Sequence, residues 1–61
     1  MQLKHASILI IDDDQDVLTA LRLLLKPLVS EIVVEKHPSH LVSILSKKYF
    51  DVVILDMNFN G

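Results

Sequence analysis

Ser7-Ile8-Leu9-Ile10-Ile11-Asp12-Asp13-Asp14 is the stretch on which the fold turns. Four aliphatic residues in a row, with no polar alternation, describe a strand buried on both faces. Such strands belong to parallel sheets covered by helices on each side. The run stops at three aspartates, so the strand has a sharply defined carboxyl end. The same figure returns as Phe50-Asp51-Val52-Val53-Ile54-Leu55-Asp56, another apolar strand closed by an acid. Between them, Glu31-Ile32-Val33-Val34-Glu35 reads as a shorter strand bounded by charge.

The segments joining these strands have helical spacing. Asp14 is placed to cap a helix, its carboxylate accepting a backbone N–H at the positive end of the helix dipole. Val17, Leu21, Leu24 and Leu28 follow at intervals of four, three and four, with Ala20 and Leu25 widening the apolar stripe expected to face the core. Pro27 disfavours helical geometry at Lys26, which predicts an end near that residue. Pro38-Ser39 opens a second helix with Ser39 as its expected N-cap and Leu41, Ile44 and Leu45 as its apolar face. Lys47 and Lys48 suit its negative end, and Tyr49-Phe50 is expected to close it. Met57 to Gly61 reads as a loop. The alternation β-α-β-α-β implies an α/β chain with a parallel sheet. If the second crossover reverses direction across the sheet, the strand order becomes 2-1-3 and the carboxyl ends of strands one and three lie side by side.

Composition closes several doors. The 61 residues allow one small domain, and 51% hydrophobic content with a single glycine is too apolar for disorder. With no cysteine there is neither a disulfide framework nor a thiolate metal site. The N-terminus has no signal-peptide pattern, and no run approaches the roughly 20 apolar residues of a membrane span. A net charge of −2 argues against a nucleic-acid surface. His37 and His40, without cysteine or a helical His-x-x-x-His spacing, read as surface residues rather than zinc ligands.

The expected topology brings Asp12, Asp13 and Asp56 into one crevice. Two carboxylates at about 4 Å repel by roughly 4 kcal/mol at an effective dielectric of 20. A divalent cation relieves that repulsion, and oxygen-only ligands select a hard ion such as Mg²⁺. With the cation in place, a strand-end carboxylate can attack phosphorus to give an acyl phosphate.

Ile10-Ile11-Asp12-Asp13-Asp14 before an amphipathic helix, together with Phe50 to Met57, resembles the beginning of the receiver domains of bacterial response regulators. The resemblance spans essentially the whole chain, as residues 1–61 of an N-terminal receiver segment that stops after the third strand. It implies the first half of a flavodoxin-like doubly wound parallel sheet, order 2-1-3, in a cytoplasmic signalling protein that is not itself an enzyme. It further implies Asp56 as the phosphoacceptor for a sensor histidine kinase, usually in the control of transcription. Asp13 would ligate Mg²⁺ directly and Asp12 mostly through water, and Asn58 would lend its backbone carbonyl. The chain departs from the family after Asp56, where Asn58-Phe59-Asn60-Gly61 replaces the usual Met-Pro segment. It also lacks the Ser/Thr and Lys that the family places after strands four and five, so little stable acyl phosphate is expected on these residues alone.

Rival readings meet specific obstacles. A Rossmann-like nucleotide half-domain needs a glycine-rich turn after strand one, where three aspartates stand. A phosphatase with a strand-end aspartate nucleophile needs a second aspartate at position 58, which is Asn58. The remaining alternative is an inactive structural fragment that only self-associates. Burying about 3,500 Å² of apolar surface contributes on the order of 90 kcal/mol. Ordering the chain costs about as much. A homodimer or higher oligomer, joined through strand three and the open apolar face, is therefore expected to complete the sheet.

Overall fold

The computed structural model describes residues 3–56. Three parallel strands, β1 (Ser7–Ile11), β2 (Glu31–Glu35) and β3 (Val52–Leu55), lie in the order 2-1-3. Helix α1 (Gln15–Leu25) joins β1 to β2, and helix α2 (Leu41–Lys47) joins β2 to β3. Each helix meets a short 3₁₀ turn, Lys26–Leu28 after α1 and Pro38–His40 before α2. No helix among the described residues is long and apolar enough to cross a membrane.

The central position of β1 explains its unbroken aliphatic run. Ile8 lies opposite Ile32 on one side and Val52 on the other; Ile10 lies between Val34 and Ile54. Successive side chains point to opposite faces. Ala6, Ile8 and Ile10 therefore pack on Leu18, with Leu21 and Leu25 of α1 beside them. Leu9 and Ile11 face the other way, against Phe50 and against Leu41 and Ile44 of α2. The helices thus cover opposite faces of one sheet, as a reversed second crossover requires.

The stripe of α1 differs from the expected one. Leu18, Leu21 and Leu25 meet the sheet, and Leu18 is fully buried, while Leu24 is 66% exposed and Val17 and Leu28 are 37% and 49% exposed. With Val17, Leu18, Leu21, Leu23, Leu24 and Leu25 all apolar, two neighbouring stripes satisfy the helical period equally. The sheet face selects one of them.

Two expectations about α2 are also corrected. Ser39 caps nothing, because it sits inside the 3₁₀ turn and no side chain caps α2 at His40. The N-terminal duty passes to Glu35, whose Oε1 accepts the His37 N–H at 3.2 Å and lies 2.6 Å from His40 Nδ1. The helix stops at Lys47, since Lys48 is extended, and Phe50 turns inward as a core residue instead of ending the helix.

Candidate metal centre

Backbone hydrogen bonds at the rim of the sheet determine where the acids stand. The Asp12 N–H donates to the Glu35 carbonyl at 3.1 Å, tying the end of β1 to the end of β2. On the other side, the Asp56 N–H donates to the Ile11 carbonyl at 3.0 Å, so β3 delivers Asp56 beside Asp12. Asp13 follows at once and is exposed, Asp56 is half-buried, and Asp12 retains only 6% of its surface. One carboxylate oxygen from each of the three lies within 4.8 Å of the others.

The helix start steadies this arrangement. Asp14 caps α1, its Oδ1 accepting the Asp16 N–H at 2.9 Å and the Val17 N–H at 3.4 Å. Its own N–H donates to Asp12 Oδ1 at 2.9 Å, leaving the second Asp12 oxygen for other partners. That N–H is the strongest single influence on the Asp12 carboxyl and pulls its pKa down. Burial, the Asp56 charge, a hydrogen bond shared with Asp56 and the Asp13 charge together outweigh it. Asp12 therefore titrates above the ordinary aspartate value.

These residues suit a hard divalent cation. All donors are oxygens, they converge without rearrangement of the strands, and their mutual repulsion favours a positive charge. The structure unites three of the four positions expected from the sequence. Asn58, the fourth, lies outside the described residues, as does Met57.

The remaining titratable groups have other duties. Asp51 bonds reciprocally with Ser7, whose N–H it accepts at 2.8 Å on Oδ2 while its own N–H donates to the Ser7 carbonyl at 2.9 Å. It is a structural closure at the far end of β3. The association of Glu35 with His37 and His40 was not read from the sequence. Its available signal was an acid ending a strand two residues before one histidine and five before another. Partial burial raises the Glu35 carboxyl, but the hydrogen bonds and charges of His40 and His37 outweigh it and hold the group below the usual glutamate value.

No family model, curated protein or solved structure matches the chain.

Proposed function

We propose that this chain is the phosphoacceptor segment of a response-regulator receiver domain, with Asp56 taking a phosphoryl group from a sensor histidine kinase in the intact protein. The observation that supports this reading is the meeting of Asp12, Asp13 and Asp56 at one rim of a 2-1-3 parallel sheet. Asp12, Asp13 and Asp56, with the Asn58 carbonyl, would hold Mg²⁺. When bound, Mg²⁺ supplies charge neutralisation for the incoming phosphoryl oxygens. An Asp56 carboxylate oxygen bonds to phosphorus as the P–N bond of the phosphohistidine breaks, and the kinase imidazole is released. Asp12 is pinned by the Asp14 N–H and shares a hydrogen bond with Asp56 at the site. A cytoplasmic location and a role in transcription control follow from this reading.

Two measurements test it. Mg²⁺ titration followed by amide NMR should shift the signals of residues 12–14 and 56, and Asp13→Asn should abolish the response. Acetyl phosphate with Mg²⁺ should leave a fractional, short-lived adduct that mass spectrometry places on Asp56 and that Asp56→Asn removes. Absence of any Mg²⁺ response through the millimolar range, or an adduct on another residue, overturns the proposal.

A second reading, a structural segment whose behaviour is self-association, draws on β3. This strand ends the sheet, has no proline or charge within it, and leaves Val53, Ile54 and Leu55 at 41%, 38% and 37% exposure. An edge of that kind pairs readily with another strand. We propose a homodimer or higher oligomer through β3 and the adjoining apolar face. Sedimentation showing a folded monomer at all accessible concentrations rejects it.

A further inference from the structure

We infer that a groove beside α1 docks an acidic amphipathic helix of a partner protein, one carrying two carboxylates a turn apart and an aliphatic side chain between them. The groove has a volume of about 160 Å³; Val34 and Leu23 give its apolar surface, with Leu18 buried behind them. Arg22 and Lys26, four residues apart on α1, stand along it. Neither makes an ion pair among the described residues, where the pairs are Glu35 with His40 and Glu31 with Lys48. Gln15 and Thr19 complete the lining, joined by one hydrogen bond in which the Gln15 side-chain N–H donates to the Thr19 hydroxyl at 3.2 Å.

Two unpaired cations over an apolar floor specify the occupant more narrowly than either feature alone. A simple anion would leave the floor unused, and a neutral apolar ligand would leave Arg22 and Lys26 without partners. Side chains four residues apart on a helix stand about 5–6 Å from each other, so a partner helix with carboxylates at the same interval matches the cations pairwise. Arg22 adds a planar fork that grips one carboxylate with two hydrogen bonds. The volume is close to the roughly 150 Å³ that accommodates a benzene-sized group, which is room for one leucine side chain. The cations lie toward the end of α1 away from Asp14, while the groove runs along the helix as far as Gln15.

The test uses a fluorescein-labelled, alanine-based helical peptide containing Glu-Leu-Ala-Ala-Glu, titrated by anisotropy against the full chain. Saturable binding is expected. It should weaken about tenfold in the double variant Arg22→Gln, Lys26→Gln, in line with two surface charge pairs. It should be unchanged by Lys4→Gln, Lys47→Gln, which removes equal charge elsewhere. Circular dichroism of both variants checks that the fold is kept. Replacing Glu by Gln or Leu by Ala in the peptide should each weaken binding. Failure to saturate, indifference to Arg22 and Lys26, or equal binding of the leucine-free peptide overturns the proposal. So does equal, Arg22- and Lys26-dependent binding to phosphatidylglycerol vesicles, which would make the groove a membrane contact.

Discussion

The N–H of Asp14 donates to the side chain of Asp12 at 2.9 Å, while the Asp14 side chain caps α1. One residue thereby joins the helix start to the most buried acid of the rim. Local secondary structure and site geometry are coupled at this point, and several measurements can exploit the coupling.

Asp14→Ala should lower stability by about 1 kcal/mol, the usual loss when a capping side chain is removed. Asp14→Ser should recover most of it. Chemical denaturation with an unchanged slope would assign the loss to the cap; a changed slope would point to a different unfolded or native state.

Acid should stabilise the cation-free chain through Asp12 and destabilise it through Glu35. The raised Asp12 pKa means that its stabilising contribution is complete below the ordinary aspartate value and is lost as pH rises through the folded-state value. Glu35, held low, contributes above the ordinary glutamate value, and that contribution disappears as pH falls through its folded-state value. Asp56→Asn should therefore raise the thermal midpoint at neutral pH and flatten the first dependence. Glu35→Gln should remove the second. Thermal melts from acid to neutral pH, without divalent cations, separate the two.

Leu18→Ala should cost about 2–5 kcal/mol, because it opens a cavity against Ile8 and Ile10. Leu24→Ala, at an exposed position, should change stability by no more than about 0.5 kcal/mol. Equal losses at both residues would mean that α1 is rotated from the orientation described.

Val53→Lys places a charge on the outer strand without touching the buried clusters. It should leave the circular dichroism spectrum intact and reduce sedimentation to that of a monomer. Unchanged association would move the contact away from β3.

The strands were legible because each is a short aliphatic run closed by charge, and their bounds agree with Ser7–Ile11, Glu31–Glu35 and Val52–Leu55. Handedness alone left the strand order open. Order 2-1-3 was expected if the second crossover reversed and from the resemblance to receiver domains, and the structure has that order, which brings Asp12, Asp13 and Asp56 together. What escaped were choices made by tertiary contact. Two apolar stripes on α1 have the same period, so only the sheet could select Leu18 over Leu24. Ser39 has the chemistry of a cap, yet Glu35 from the neighbouring strand reaches the turn first. Asp51 stands just before the third aliphatic run, and only its pairing with Ser7 marks it as structural.

That pairing bears on where Asp56 comes to rest. Within Val52-Val53-Ile54-Leu55 one aliphatic residue could stand for another, so the acids at its two ends mark its position, and a slip of two would set Asp56 against Ile10 or Asp51 against Leu9. Such a slip would carry Asp56 about 6.6 Å along the strand axis, out of reach of Asp12. Asp51 disfavours it by accepting the Ser7 N–H on its side chain, a bond that an aliphatic residue in its place could not make. The strand is indexed at its lower end, so the acidic rim owes part of its alignment to an aspartate that never touches it.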